Sequence, residues 1–305
     1  MRIFLTGATG YVGAAVLDAL VKGGHDVTAL VRDNHKAARL AGKGARPVVG
    51  DLADPESFRG VVDAQDGYIH TAFDSSRGPS VERAALDIIV AAAKRPRTAG
   101  STAPAKRFVV YTSGLWVLGR TSEPAAEDSP VNPLPIASWR PDHEQFVLDA
   151  ATDSLRAIVV RPGNVYGGGN GMIGDLLKDA SNGLVRVVGD GSNRWPLIYD
   201  RDLAELYARL ASREDAQGVF HANDEGDERV NDIVQTIAPY VAVRPDVRHM
   251  PIEEARSKMG PYADALALDQ VVRSPRARAL GWAPTLHSVA GNAARLLEEW
   301  RTARN

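Results

Sequence analysis

A run of glycines near the N-terminus carries the clearest chemical signal in the chain. Residues 6–13 read Thr-Gly-Ala-Thr-Gly-Tyr-Val-Gly, between the apolar run Ile3 to Leu5 and a segment with apolar residues at helical spacing. In such a strand–turn–helix, Gly7 allows the tight turn, Gly10 lets the backbone approach a pyrophosphate and Gly13 lets the helix pack closely on the sheet. The free N–H groups at the start of the helix favour a bound phosphate. The sequence therefore predicts a dinucleotide-binding turn.

The end of the second predicted strand bears on which dinucleotide binds. The strand Val27 to Val31 contains no acid, and Arg32 and Asp33 follow it. A nicotinamide enzyme that uses NAD usually has an acid here for the ribose 2′-OH, whereas a guanidinium suits the 2′-phosphate of NADP. We therefore expect NADP(H). NAD(H) remains the alternative, because a rotated loop could bring Asp33 to the ribose.

Strands alternate with helices along the first half of the chain. Short apolar runs predict strands at 3–5, 27–31, 47–49, 68–71, 108–112 and 157–160. This alternation predicts an α/β fold with a Rossmann-type doubly wound parallel sheet, covered by helices on both faces. The pattern weakens after residue 164, which indicates a smaller C-terminal substrate lobe. We expect a dinucleotide-binding domain and a substrate-binding lobe, the first covering 1–163 with return segments at about 197–222 and the second covering 164–196 and 223–305.

Composition limits the classes of function. The 305 residues carry a net charge of -2 and no cysteine, which excludes disulfides, thiolate metal sites and cysteine nucleophiles. Acids and bases are spread along the chain, and no apolar stretch is long enough to cross a bilayer. We therefore expect a cytoplasmic protein with a small-molecule substrate, without a metal and without nucleic-acid or membrane partners, and we allow for a homodimer.

The composition of the segment 96–105 predicts a surface loop.

Further motifs follow the glycine turn in a recognisable order. They lie at 50–52, 70–72, 111–113, 161–167 and 189–204. Together they resemble the extended or atypical short-chain dehydrogenase/reductase superfamily, specifically its NAD-dependent epimerase/dehydratase group. With Arg32, the resemblance implies a set of cofactor contacts: Gly7, Thr9, Gly10, Tyr11, Val12, Gly13, Asp51, Leu52, Thr71, Ala72, Thr112, Arg140, Pro162 and Asn164.

The chain departs from that superfamily at its catalytic pair. Members use Tyr-x-x-x-Lys, in which the lysine lowers the tyrosine pKa and the tyrosine exchanges a proton with the substrate oxygen. No tyrosine of this sequence has a lysine four residues later. Alignment on Glu144, the helical acid of the superfamily, places Ile136 and Arg140 at the two positions. The other register places Trp139 and His143 there. We prefer the first, because Arg140 keeps a cation where the ribose needs one.

The proton donor is therefore missing or relocated. Ser113 occupies the position of the superfamily's serine or threonine and is expected to orient the substrate oxygen, unless it is only a strand-end hydroxyl. Tyr166 and Tyr199 are candidates for a relocated donor, although each is more often a packed aromatic. Ser113, Arg140 and Tyr166 are thus the predicted catalytic residues.

The segment around Arg140 also carries a structural expectation. Pro141 suits the first turn of a helix and disfavours the α region for the residue before it, so the helix is expected to begin after Arg140. His143 then falls on this helix, where we expect a solvent-exposed side chain.

The function expected from these residues is an NADP(H)-dependent oxidoreductase acting on a small carbonyl or hydroxyl substrate. Its proton would come from water or a substitute residue. One alternative is a nucleotide-sugar-type epimerase or dehydratase, in which the cofactor is reduced transiently and recycled. The other is a non-catalytic NADP(H)-binding redox sensor, which the missing pair keeps open.

Overall fold

The strands can be placed directly from the structure, a computed structural model that describes residues 1–96, 106–240 and 245–304. Residues 97–105 of the surface loop expected at 96–105 lie outside the described residues. The strands, numbered in chain order, are β1 (Arg2–Thr6), β2 (Asp26–Val31), β3 (Arg46–Val49), β4 (Gly67–His70), β5 (Arg107–Thr112), β6 (Leu155–Pro162), β7 (Asn164–Tyr166), β8 (Leu184–Val188), β9 (Leu197–Tyr199), β10 (Gly218–Ala222) and β11 (Asp246–Met250).

A seven-stranded sheet has the order β10-β6-β5-β4-β1-β2-β3. Strands β1 to β6 run parallel, and β1 lies between β2 and β4. The strand order reverses at β1, and in open α/β sheets ligands bind at such a switch point, beyond the carboxyl ends of the strands. The apolar residues of β1 and β4 are fully buried, as expected for a parallel sheet covered on both faces. The predicted Rossmann-type fold is confirmed.

Helices connect and cover the strands, and most begin where the apolar pattern changes from strand to helical spacing. No helix in the described parts of the chain is long and apolar enough to cross a membrane. The α-helices are α1 (Tyr11–Lys22), α2 (Asn34–Ala41), α3 (Glu56–Val62), α4 (Pro79–Lys94), α5 (Arg140–Leu148), α6 (Gly171–Ser181), α7 (Asp200–Ser212), α8 (Val230–Ile237), α9 (Ile252–Met259), α10 (Tyr262–Leu266), α11 (Pro275–Ala279) and α12 (Ala293–Thr302).

The chain divides into two compact units. Unit 1 comprises Met1–Ser113, Asp142–Val160 and Ala204–Phe220, and unit 2 comprises Gly114–Pro141, Arg161–Leu203 and His221–Asn305. The structure groups 114–141 with unit 2, whereas the sequence placed that segment in the dinucleotide-binding domain. Backbone hydrogen bonds explain the difference, since Ala125 N–H donates to the carbonyl of Val271 and Arg273 N–H donates to the carbonyl of Ala125.

Each unit has its own apolar core. In unit 1, α4 packs Leu86 and Ile89 against Phe4, Tyr68 and other buried side chains of the sheet. In unit 2, a cluster around α6, α8 and α12 includes Tyr166 and Trp195. Two short parallel pairs, β8 with β11 and β7 with β9, complete unit 2.

Candidate cofactor and catalytic site

A cavity of about 440 Å³ lies in unit 1 beyond the carboxyl ends of β1, β2 and β4. This is the edge of the sheet at which the sequence predicted a dinucleotide. Most of the predicted cofactor contacts line it, namely Gly7, Thr9, Gly10, Tyr11, Val12, Gly13, Arg32, Asp51, Leu52, Thr71 and Ala72. Its wall also contains residues that the sequence did not single out, among them Leu30, Phe73, Asp74 and Val81.

The glycines of the turn meet three different spatial limits. Gly7 has a φ of +80°, and a Cβ there would lie 2.7 Å from the backbone nitrogen of Ala72. At Gly13 a Cβ would lie 2.1 Å from the carbonyl oxygen of Gly7, so the helix could not pack where it does. At Gly10 the nearest atom is 3.2 Å away, and Gly10 precedes α1 without a side-chain cap. The start of α1 can therefore offer backbone N–H groups to an anion.

The two charged residues after β2 have different surroundings. Arg32 lines the cavity with an exposed side chain, and its Nη1 lies 3.3 Å from Oδ2 of Asp74. Asp33 caps α2 instead, because its Oδ1 accepts a hydrogen bond of 2.8 Å from the backbone N–H of Lys36. That bond lowers the pKa of Asp33. Asp33 is thus engaged as a helix cap, which leaves Arg32 as the residue of this pair that faces the cavity.

Asp51, which follows β3, also lines the cavity. Arg77 donates hydrogen bonds of 2.8 Å to both carboxylate oxygens of Asp51, and the N–H of Ala53 donates a third. The bond from Ala53, followed by those from Arg77, lowers the pKa of Asp51. A carboxylate fixed in this way stays ionised and can accept hydrogen bonds from a ligand.

Ser113 follows β5 at the same edge of the sheet. Its backbone N–H donates to the carbonyl of Val160, which extends the pairing of β5 with β6 by one residue. The side chain is buried, and its hydroxyl donates a hydrogen bond to Oε1 of Glu144 on α5. The carboxylate of Glu144 is itself buried. This serine therefore has a proton acceptor in direct contact.

The prediction of a solvent-exposed His143 is wrong. Its side chain is buried, and Nδ1 lies 2.9 Å from Oε2 of Glu82 on α4. The hydroxyl of Tyr111 donates a hydrogen bond of 3.2 Å to the same oxygen. A buried carboxylate needs polar partners, and His143 lies on the face of α5 that is turned inward with Glu144 and Val147.

The tyrosine candidates lie in the core of unit 2. Tyr166 is fully buried and donates a hydrogen bond of 3.2 Å to Oδ2 of Asp224, and burial raises the pKa of its hydroxyl. Tyr199 donates to Glu299 and accepts from Arg295, and burial raises its pKa to about 12. Both placements are those of packed aromatics with satisfied hydroxyls, and neither favours proton exchange with a substrate.

Arg140 is the first residue of α5, so the prediction that this helix begins after it is wrong. The chain arrives from the 3₁₀ turn Pro135–Ala137 with Ser138 already in the αR region, and this approach carries the helical path through Arg140 despite the proline that follows. The Arg140 guanidinium lies 5.4 Å from the ring centre of Trp139. Thr112, which is in unit 1, pairs its hydroxyl with that of Tyr207 at 2.6 Å. Arg140, Thr112, Pro162 and Asn164 do not line the cavity described above.

Comparison with known proteins accounts for this arrangement. The model of the NAD dependent epimerase/dehydratase family matches residues 3–222, more than two thirds of the chain. The chain belongs to that family. The predicted resemblance is thereby confirmed, and the family's cofactors are nicotinamide dinucleotides.

Relatives of known sequence support the assignment to the epimerase/dehydratase family over most of the chain. Uncharacterized protein C2A9.02 of Schizosaccharomyces pombe is 32% identical over 289 residues, which are 93% of this chain and 95% of the relative. The 2-alkyl-3-oxoalkanoate reductase of Stenotrophomonas maltophilia is 30% identical over 215 residues, which are 65% of this chain and 62% of the relative.

Solved structures share the fold at lower identity. Human epimerase family protein SDR39U1, crystallised with NADPH, is 21% identical, with a TM-score of 0.78 over 98% of this chain and 99% of that one. The UDP-glucose 4-epimerase of Thermus thermophilus, in complex with NAD, is 18% identical, with a TM-score of 0.78 over 99% of each chain. At these identities the likeness concerns the fold.

Within the epimerase/dehydratase family, the interest of this chain lies in what surrounds Ser113. In the predictions from sequence, Glu144 served only to choose between the two alignments of the catalytic pair and was given no role. Glu82 and Asp74 were not predicted as site residues. Glu144 could have been found from the sequence. Ser113 follows a predicted strand and Glu144 lies near the start of a predicted helix, and both positions fall at the carboxyl edge of a parallel sheet, where ligands bind.

Proposed function

We propose that the chain is an NADP(H)-dependent oxidoreductase acting on a small carbonyl or hydroxyl substrate. The observation that carries this proposal is the cavity of unit 1, where the start of α1 and the exposed guanidinium of Arg32 line one continuous space. The helix start suits a pyrophosphate, and Arg32 suits a 2′-phosphate. The NADPH complex of the human protein of the same fold supports NADP(H), while the NAD complex of the bacterial epimerase keeps NAD(H) as the alternative.

The proton-transfer step is proposed to use Ser113 and Glu144. The nicotinamide ring, when bound, supplies or accepts the hydride. In the direction of oxidation, Ser113 Oγ takes the proton of the substrate hydroxyl while its own proton passes to the carboxylate of Glu144. In the direction of reduction both transfers run in reverse, and the proton ends on the substrate oxygen. General acid–base transfer of this kind contributes roughly 10²–10⁴ in rate.

The choice of a reductase is supported by a relative. The Stenotrophomonas enzyme is by name a reductase of 2-alkyl-3-oxoalkanoates, which are carbonyl compounds, and it is 30% identical to this chain. A second candidate function is nucleotide-sugar epimerisation or dehydration, favoured by the name of the family model and by the UDP-glucose 4-epimerase of the same fold.

Two measurements test the proposal together. Calorimetric titration with NADPH and NADH should give tighter binding of NADPH. Steady-state oxidation of added NADPH should then depend on a carbonyl compound from a panel of aldehydes and ketones. Tight binding of NADPH without consumption on any member of the panel contradicts the oxidoreductase and favours the redox sensor. Conversion of a UDP-sugar without net consumption of cofactor favours the epimerase.

A further inference from the structure

Unit 2 contains a second cavity, of about 400 Å³, formed by residues of α6, β8, α8, β11, α9 and α10. This volume lies in the range of small-molecule sites in proteins. The apolar side chains of its wall are Met172, Leu176, Val187, Val188, Trp195, Val230, Met250, Met259, Tyr262 and Leu266. The wall therefore consists mainly of methionine, branched aliphatic and aromatic side chains.

The wall contains two aromatic residues, Trp195 and Tyr262. The indole N–H of Trp195 donates a hydrogen bond of 3.0 Å to the carbonyl of Leu266, so the polar atom of this ring is satisfied by the wall itself. The ring of Tyr262 packs edge-on against Trp116, with 6.2 Å between ring centres, and burial raises the pKa of the Tyr262 hydroxyl. Tyr262 stays neutral at physiological pH. The three methionines add polarisable, adaptable surface.

The charged residues of the wall do not suit an anion. Asp175, Lys178, Asp179 and Arg186 contribute two negative and two positive charges. The guanidinium of Arg186 is already paired with Asp179, with Nη1 3.5 Å from Oδ2. The four charges of this wall sum to zero, so it offers no net positive charge to a diphosphate, which Asp175 and Asp179 would repel.

We infer that this cavity binds an apolar part of the substrate, an aliphatic or aromatic group without phosphate. The inference rests on the proposed function only in naming the occupant as substrate of that reaction. By this inference the chain differs from enzymes of nucleotide sugars in the substrate group that unit 2 binds. The cofactor cavity is not where the difference lies. Medium-chain aliphatic carbonyl compounds fit this description.

The test uses the full chain saturated with NADPH, and 2-decanone as the probe. Binding is measured by calorimetry and by the change in tryptophan fluorescence, to which Trp195 in the wall contributes. Val187→Phe places a larger side chain in the wall, and the expected result is binding weaker by about 10-fold, which corresponds to the loss of about two buried methylene contacts. Met259→Trp, at a partly exposed position of the same wall, provides a second filling variant if Val187→Phe folds poorly.

Val247→Phe is the matched control, because Val247 lies on β11 with an exposed side chain and is not part of the wall. It should bind 2-decanone as the unaltered protein does. Uridine diphosphate should neither bind nor compete. Competition by uridine diphosphate, equal 2-decanone affinity in the filled variants, or no binding of 2-decanone to the unaltered protein would each overturn the inference.

The same experiment keeps this inference distinct from the proposed function. If only the inference fails, NADPH still binds and is still oxidised by some carbonyl compound, while filling the cavity changes nothing. If only the proposed function fails, 2-decanone still binds in a manner sensitive to Val187→Phe, without consumption of NADPH. For the active protein, kcat/KM should rise with the chain length of the ketone, and Val187→Phe should remove that rise.

Discussion

The hydroxyl of Ser113 donates a hydrogen bond to the carboxylate of Glu144, and both side chains are buried. The two residues are 31 positions apart in the chain and meet because β5 and α5 end and begin at the same edge of the sheet. This contact gives a strand-end serine a proton acceptor in a chain that has no Tyr-x-x-x-Lys sequence.

Ser113→Ala and Glu144→Gln should each lower kcat by roughly 10²–10⁴, because each removes one end of the proton path. Glutamine keeps the shape of the side chain and an oxygen that can accept from Ser113, so the fold should survive. The NADPH dissociation constant should stay unchanged in both variants. Steady-state kinetics on an active carbonyl compound, with calorimetric titration of NADPH, provides the measurement.

The same two substitutions at residues outside the site supply matched controls for this pair. Ser181→Ala on α6 and Glu205→Gln on α7 should leave kcat unchanged. The double variant Ser113→Ala/Glu144→Gln should be no slower than the slower single variant, because both act in one step. Full activity of Glu144→Gln over the whole pH profile, or a large loss at Tyr166→Phe alone, would contradict the proton path proposed here.

The glycines of the turn should respond differently to the same substitution. Gly10→Val should abolish NADPH binding with little effect on thermal stability, since a Cβ there meets only the carbonyl of Gly7, at 3.2 Å, and the valine would occupy the space before the helix start. Gly13→Val should instead unfold or strongly destabilise the protein, because its Cβ would lie 2.1 Å from the same oxygen. Thermal unfolding and NADPH titration separate the two effects, and unchanged NADPH affinity in Gly10→Val would move the phosphates elsewhere.

Arg32→Ala should weaken binding of NADPH and leave that of NADH nearly unchanged. Loss of a hydrogen-bonded charge on the 2′-phosphate corresponds to about 1.5–3 kcal/mol, or about 10-fold or more in affinity. Arg39→Ala, an exposed arginine of α2 outside the cavity wall, is the control and should change neither affinity. Equal losses for both cofactors in Arg32→Ala would remove the argument for NADP(H).

Asp224 should make the free energy of unfolding depend on pH. Burial raises its pKa from 3.8 to about 7, so the folded state favours the protonated form. The stabilisation is complete below the unfolded pKa and is lost as the pH rises through about 7. Its loss is on the order of 2–4 kcal/mol. Asp224→Asn should therefore flatten the decrease in stability between about pH 4 and pH 7, as measured by urea unfolding. An identical pH dependence in this variant would show that Asp224 does not titrate in this way.

The cofactor turn could be predicted from sequence because its signal is local. Gly7, Gly10 and Gly13 act within one strand–turn–helix, and their spacing alone specifies the geometry. The position of Ser113 after β5 was predictable for the same reason. The environment of His143 was not, because its partner Glu82 lies 61 residues away on another helix. A polar residue beside other polar residues reads as surface until a buried partner is known.

Unit 2 was harder to predict for a different reason. Strands β7 and β9 have three residues each, too short for a periodic pattern. Strand β11 is Asp-Val-Arg-His-Met and mostly exposed, so it lacks the apolar run by which a strand is recognised, and its pairing with β8 joins segments about sixty residues apart. The cavity lined by β8, β11 and the helices of unit 2 is therefore a product of tertiary packing.

Transfer of deuterium tests the central claim most directly. The protein is supplied with NADPH carrying deuterium at C4 of the nicotinamide, in separate reactions for each face of the ring, and with a carbonyl compound that it consumes. We expect one of the two labelled forms to yield an alcohol carrying deuterium on the former carbonyl carbon, in one-to-one proportion with the NADP⁺ formed. Alcohol without deuterium from both forms, or a product formed with no net NADP⁺, would contradict it.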